Sequence, residues 1–324
     1  MRLLPFLAAV FLACGFIGGG VDVDPRYQHE VVLDPAGASL VSIDWSSGGL
    51  ELIGDDGDSV RVIAVGRNLG GLVEPAKWLD MLDFRRGTGS VELEFARSGV
   101  FSSYDIALEV RFPRGMGVEV SNGSGGLIIS GAASAVVELG SGGIEVSDVS
   151  GDADIETASG GITVEGVGGS LKVSSASGGL EIKRVAGAVE AETASGSIDI
   201  ELGPDHAGPV SAETGSGGIT VALGLGQAGT VQLHTGSGGI DLSYGGPFTG
   251  DADLGTGSGG ITVDLTAPPE GLAIEGETSS GVASTNHPDA YAFNGDGGGE
   301  IRLRGPGPKI TLDAGSGSIE INVR

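Results

Sequence analysis

A short phrase, Ser followed by two glycines and a branched aliphatic residue, recurs along this chain at nearly fixed intervals. It reads Ser141-Gly142-Gly143-Ile144, Ser159-Gly160-Gly161-Ile162, Ser177-Gly178-Gly179-Leu180 and Ser195-Gly196-Ser197-Ile198. It continues as Ser216-Gly217-Gly218-Ile219, Ser237-Gly238-Gly239-Ile240 and Ser258-Gly259-Gly260-Ile261. Further copies stand at Ser124–Leu127 and Ser316–Ile319, with an outlier at Ser47–Leu50. The aliphatic positions 127, 144, 162, 180, 198, 219, 240 and 261 advance in steps of 17, 18, 18, 18, 21, 21 and 21. A fixed period near twenty marks a solenoid, in which each repeat buries its apolar face only against its neighbours.

Each coil divides into two strands and two turns. Ile144-Glu145-Val146 predicts a strand, Val149-Ser150-Gly151 a turn, Ala153-Asp154-Ile155-Glu156-Thr157 a second strand, and Ala158-Ser159-Gly160-Gly161 the turn into the next coil. Alternation then assigns faces. The first strands point Ile144/Val146, Ile162/Val164, Leu180/Ile182, Ile198/Ile200, Ile219/Val221, Ile240/Leu242 and Ile261/Val263 inward. In the second strands the inward triplets end on Thr157, Ser175, Thr193, Thr214, Thr235 and Thr256. The hydroxyls of this column are expected to bond either to the adjoining turn or to one another. Outward columns carry the charge, and Glu192 and Glu213 are expected to be direct neighbours without compensation. Aromatic residues are only 5% of the chain, which suits a narrow interior filled by small and β-branched side chains.

Before the repeats, residues 21–115 read as a less regular β region. Leu40–Trp45, Leu50–Ile53, Val60–Val65, Ser90–Ala96 and Tyr104–Phe112 are strand-like. Between Glu74 and Arg86, Trp78, Leu79, Met81, Leu82 and Phe84 suggest one short helix, with Pro75 in its first turn. Residues 283–300 lose the repeat and read as an inserted loop or irregular coil. The final strand needs a cap or partner, because an open solenoid end leaves backbone groups unpaired. The expected organisation is a signal at residues 1–20, the β region at 21–115, and a glycine-turn β-helix at 116–324.

Residues 1–20 carry Arg2, an apolar run from Leu3 to Leu12 and then small residues, the layout of an export signal too short to span a membrane comfortably. Phe11-Leu12-Ala13-Cys14-Gly15 is similar to a bacterial lipoprotein processing box, which would make Cys14 a lipidation site and the lipid the only membrane contact. Ordinary cleavage near Gly20 and an uncleaved anchor are the alternatives. All three place the mature chain outside the cytoplasm, in the periplasm, outer membrane or cell surface. Cys14 is the single cysteine, so no intramolecular disulfide forms. The net charge of −26 disfavours nucleic acid, whose recognition needs clustered Lys and Arg. It leaves divalent cations and cationic surfaces as partners.

Chemistry is sparse. Asp55-Asp56 is the one tempting carboxylate pair for a polysaccharide-active β-helix enzyme, but it sits in a polar turn and hydrolysis needs a convergent cleft. Asp55, Asp56 and Asp58, and separately Asn294, Asp296 and Glu300, have the donor types of calcium ligands. His29, His206, His234 and His287 share no zinc spacing. The glycine phrase lacks the following Lys-Ser/Thr of a phosphate loop. No catalytic residue and no cofactor is expected.

Three parts of the chain together resemble the bacterial putative-adhesin family of unknown function: Ser39–Val65 with its Ser-Gly-Gly and Gly-Asp-Asp-Gly-Asp turns, Val110-Arg111-Phe112-Pro113-Arg114-Gly115 leading into the coils, and the repeated Gly-Ser-Gly-Gly-Ile. The resemblance implies a single-stranded right-handed parallel β-helix, here with 17–21-residue coils, an envelope location and a non-catalytic role in adhesion or scaffolding. Its partner would be an envelope protein or glycan. A regulatory envelope sensor that uses residues 21–115 is the other non-enzymatic reading.

Overall fold

The computed structural model describes residues 28–68, 82–95 and 104–324, apart from 226, 228 and 296. The expected signal at 1–20, Cys14 and the 74–81 part of the expected helix lie outside the described residues. Every described regular element is a strand. The chain divides into two compact units between Gly160 and Gly161.

The first unit contains β1 (Gln28–Leu33), β2 (Leu40–Trp45), β3 (Gly49–Asp55), β4 (Val60–Asn68), β5 (Leu82–Arg86) and β6 (Ser90–Phe95). It continues with β7 (Tyr104–Pro113), β8 (Gly117–Ser124), β9 (Leu127–Ser130), β10 (Ala135–Ser141), β11 (Ile144–Val149) and β12 (Ala153–Ser159). One sheet runs β1-β4-β7-β3-β9-β11 and the other β12-β10-β8-β2-β6-β5. The β2–β3 coil is therefore inserted between two coils that follow one another in sequence. β2 pairs in parallel with β6 on one side and β8 on the other, and β3 does the same with β7 and β9. Beyond β7 the ladder turns antiparallel, through β4 and then β1.

One expectation fails here. Leu82 and Phe84, assigned to a helix, lie in β5, which pairs antiparallel with β6. Leu82, Phe84 and Arg86 alternate along that strand, Phe84 stands opposite Leu93, and the Gly87 amide closes the hairpin on the Ser90 carbonyl at 3.1 Å. Arg85 bridges Asp83 at 2.6 Å and Glu94 at 3.3 Å. A period of two satisfied by cross-strand pairs overrides a helical spacing of apolar residues.

The second unit begins with β13 (Ile162–Val167), β14 (Leu171–Ser175), β15 (Leu180–Val185), β16 (Val189–Ser195), β17 (Ile198–Leu202) and β18 (Val210–Ser216). β19 (Ile219–Leu223), β20 (Val231–Ser237), β21 (Ile240–Tyr244), β22 (Ala252–Ser258), β23 (Ile261–Leu265) and β24 (Ala273–Ser280) follow. The last elements are β25 (Ala283–Thr285), β26 (Tyr291–Gly295), β27 (Gly298–Leu303), β28 (Lys309–Ser316) and β29 (Ile319–Val323). Odd strands from β13 to β23 stack in one parallel sheet and even strands from β14 to β22 in the other. The inward residues read from alternation, such as Ile219, Val221, Val231 and Leu233, are all buried.

Two features hold successive coils in register. In each Ser-Gly-Gly corner the first glycine has positive φ, 146° at Gly217 for example, and a Cβ on Gly217 would overlap the carbonyl oxygen of Gly196 one coil earlier. Only glycine fits both demands. The buried threonine column then bonds to these corners. Thr193 Oγ1 donates to the Gly178 carbonyl at 3.1 Å, Thr214 to Gly196 at 3.0 Å, Thr235 to Gly217 at 2.9 Å and Thr256 to Gly238 at 2.9 Å. Each threonine thus ties its strand to the corner of the preceding coil.

The coils of 21 residues carry their extra length at the opposite corner, where His206, Gln227 and Phe248 are buried. Phe248 stacks on Tyr244 with ring centroids 4.0 Å apart. Alternation did not foresee this extra core layer, because loop residues carry no period.

The end of the second unit differs from the expected irregular loop. Residues 283–303 form β25, β26 and β27, and β28–β29 do not follow them in space. β28 lies between β22 and β24, and β29 between β23 and β25. The final strand is therefore interior, and β27 and β26 close the even sheet antiparallel.

Replacing Thr235 by Val keeps the volume but strips the Gly217 carbonyl of its donor, and should cost about 1–3 kcal/mol in denaturant unfolding. Gly217→Ala adds a steric clash and backbone strain and should cost at least as much, about 1–3 kcal/mol from strain alone.

Candidate functional site

Strand register places the outward charges of the second unit in straight columns about 4.8 Å apart per step. One column runs Ser174, Glu192, Glu213, His234, Gly255, Asp313. Glu192 and Glu213 are direct neighbours, as alternation predicts, and among the described residues neither has an ion-pair partner. The next column runs Lys172, Glu190, Ser211, Gln232, Asp253, Thr311, and Lys172 lies 3.7 Å from Glu190. His234 Nε2 reaches across to Asp253 at 3.9 Å. On the other sheet Glu181 stands beside Asp199, and Lys183 offsets the pair by bonding Glu181 at 2.6 Å. The Glu181 carboxylate in turn raises the pKa of Lys183. The surface is thus acidic and periodic, and most of its exposed cations are already committed to nearby acids.

In the first unit, a groove of about 480 Å³ lies on the outer face of β2, β8, β10 and β12. Asp44, Ser121, Glu138 and Glu156 flank it in register, and Gly123 and Gly140 leave its floor open to the backbone. Its rim carries acids and hydroxyls like the columns of the second unit, while Trp45, Leu139 and Ala158 add apolar lining.

A second arrangement in this unit was not legible as a pair. Glu51 of β3 and Glu109 of β7 stand opposite each other in adjacent parallel strands. Glu109 is 9% exposed and bonds Arg111 at 2.7 Å. Glu51 is half-buried, and its Oε2 is enclosed without a partner. Burial raises the Glu51 pKa, and the charge of Glu109 raises it further, against a smaller opposing pull from Arg111. The signal available in sequence was the shared phrase Leu50-Glu51-Leu52 and Leu108-Glu109-Val110 on two predicted strands.

The candidate calcium ligands sit apart from both features. Asp55 Oδ1 accepts the Gly57 amide at 2.8 Å, forming the turn itself. Asp56 is 98% exposed, 3.4 Å from Arg114, and Asp58 is exposed. Among the described residues no three His, Cys, Asp or Glu side chains gather around one point. Of the second candidate set, Asp296 lies outside the described residues. Asn294 has another use: its Oδ1 accepts the Ala283 amide at 2.7 Å and its Nδ2 donates to the Ala283 carbonyl at 3.0 Å. Asn286 does the same to Val323, at 2.6 and 3.0 Å. Both carboxamides imitate a neighbouring strand. His206 is buried and bonds the Val185 carbonyl through Nδ1 at 3.0 Å, so it belongs to the core.

The family model described as Toastrack DUF4097 matches residues 89–292. No curated protein matches the chain. Among solved structures, a putative cell adhesion protein from Clostridium sporogenes ATCC 15579 is 12% identical, with 92% of this chain and 99% of that one covered at a TM-score of 0.27. A putative adhesin from Bacteroides fragilis NCTC 9343 is 11% identical, with 93% and 100% covered at a TM-score of 0.28. Superpositions this loose carry no argument about function.

Because its folded pKa is raised, ionised Glu51 opposes folding, and the opposition grows as pH rises from the usual carboxylate value near 4.5 through the raised one. Glu51→Gln should raise the thermal midpoint at pH 7, and the gain should vanish near pH 4, where both chains are neutral at this position. A gain of equal size at both pH values would show packing rather than ionisation to be the cause.

Proposed function

For a chain that belongs to the Toastrack DUF4097 family, we propose a non-catalytic role at the cell envelope, as an adhesin-like scaffold that presents acidic, hydroxyl-bearing columns to a binding partner. The observation that carries this reading is the register of the outer faces. Each coil adds one strand to each sheet in the same register, so charge is displayed at fixed spacing on a surface whose backbone is locked by glycine corners and threonine bonds. Such a surface suits multivalent contact with a cationic or cation-bridged partner, a protein or a glycan. The export-signal layout of residues 1–20 supports delivery outside the cytoplasm, with Cys14 as the lipid-attachment point if the processing box is used.

Diffuse divalent cations belong to this reading. Opposed carboxylates such as Glu192 and Glu213 repel at strand spacing, and a cation shared along a column relieves the repulsion. Millimolar calcium or magnesium should raise the thermal midpoint by a few degrees over that in chelator. An unchanged midpoint across calcium, magnesium and chelator removes the cation from the reading.

Binding is tested with isolated envelopes. The wild-type chain should sediment with them at low ionic strength and be released by about 0.5 M salt, where surface charge is screened within a few ångströms. The triple variant E190Q/E192Q/E213Q should bind several-fold less while melting no lower than the wild type, since it removes the Glu192–Glu213 repulsion. Equal binding by the variant would take the acidic columns out of the function.

A further inference from the structure

The coil formed by β28 and β29 occupies a slot whose two walls follow one another in sequence. Its registers to both walls match. Ser316 stands opposite Ser258 on one side and Ser280 on the other, and Ile319 opposite Ile261 and Ala283. Its core side chains, Ile310, Leu312, Ala314, Ile319 and Ile321, are fully buried in the slot. A coil of the same sequence from a second chain would meet the same register partners.

Two details set this coil apart from its neighbours. Where the preceding second strands carry Thr193, Thr214, Thr235 and Thr256, it carries Ala314, which offers no hydroxyl to the Gly259 corner. On its far side Thr278 bonds the Gly317 carbonyl at 2.7 Å, so that wall is tied and the other lacks the tie. The coil is also joined to the rest of the unit by Arg304-Gly305-Pro306-Gly307-Pro308, which belongs to no strand. The two prolines add no sheet donors, and two backbone bonds hold the connection down: the Gly307 amide donates to the Gly271 carbonyl at 2.7 Å and the Ala273 amide to the Pro308 carbonyl at 3.0 Å. The exposed rim is polar. Lys309 Nζ meets Glu275 at 2.5 Å, the Lys309 amide meets Asp251 at 2.8 Å, and Arg324 meets Asp264 at 3.4 Å.

We propose that this slot is an exchange site, and that its second occupant is the 309–323 coil of another copy of the same chain. Exchange conserves every register pair and every buried side chain, because the incoming coil is identical. It costs only the contacts of the connection, the condition under which swapping is inexpensive. Salt screens the rim pairs in both forms and so eases the opening that exchange requires.

The test uses two full-length chains, each with Cys14→Ser, one carrying Asp253→Cys and the other Thr311→Cys, positions that face each other across β22 and β28. They are unfolded together, refolded at high protein concentration in 0.5 M salt and treated with oxidised glutathione. A disulfide-linked species of doubled mass with native β circular dichroism is expected, with mixed links several-fold above links between like chains. Adding both cysteines to one chain gives the intramolecular control, which must close at high dilution. Closure of that control with mixed links absent or at the level of like links overturns the proposal. Ala314→Thr adds the tie to closed and exchanged forms alike, so it should leave the co-refolded yield unchanged but slow mixed linking several-fold when the two chains are mixed already folded. An unchanged rate would overturn the part assigned to Ala314.

Discussion

The bond from a buried threonine hydroxyl to the corner carbonyl of the neighbouring coil governs the geometry of the second unit. It works only if the corner glycine keeps its positive φ and the strands keep zero offset, and so it couples turn conformation to sheet register. The consequence is visible in the spacing. From threonine to the next leading aliphatic residue the distance never varies: Thr193 to Ile198, Thr214 to Ile219, Thr256 to Ile261. All variation in coil length is placed at the other corner, where His206, Gln227 and Phe248 fill the added volume. The change of period from 18 to 21 residues thus alters one corner and leaves the other untouched.

The same constraint shapes the electrostatics. A register that cannot slip fixes carboxylates at strand spacing, and the chain answers locally. Lys172 sits beside Glu190, Lys183 beside Glu181, and Arg184 reaches Glu165 at 2.9 Å. These are exposed pairs, each of small worth, and they offset repulsion rather than build stability. Stability comes from the aliphatic interior and the satisfied corners. In the first unit Glu51 and Glu109 show the other outcome: two acids in register, one neutralised by Arg111 and the other left partly desolvated.

Which side chains point inward was legible because alternation is a local property of a strand, whereas the hydroxyl column left bonding to the turns or to one another open, and the corner carbonyls of the preceding coil are what it bonds. Which strands are neighbours was not legible. A period of two assigns Ile319 and Leu50 to the interior but carries no information about the coil that lies next to them, and both inserted coils bear the ordinary phrase. The insertions of β2–β3 and β28–β29 are decided by tertiary pairing alone. The Glu51–Glu109 pair was hidden for the same reason, since it forms across strands far apart in sequence. The helix assigned around Leu82 and Phe84 shows the converse error, where a short apolar spacing fits two periods and the cross-strand partners choose.

Asn286 and Asn294 carry a consequence for how such a chain can change. A stack of equivalent coils has no internal reason to stop, because each new strand presents the same backbone edge as the one before. The two carboxamides fill what is left of that edge, at Ala283 of the outermost strand β25 and at Val323 of β29 just past the end of β25, with a donor and an acceptor each. They act as terminators held outside the repeating phrase. Duplication or loss of a whole interior coil leaves them in place, so coil number can vary while the protected end is inherited unchanged.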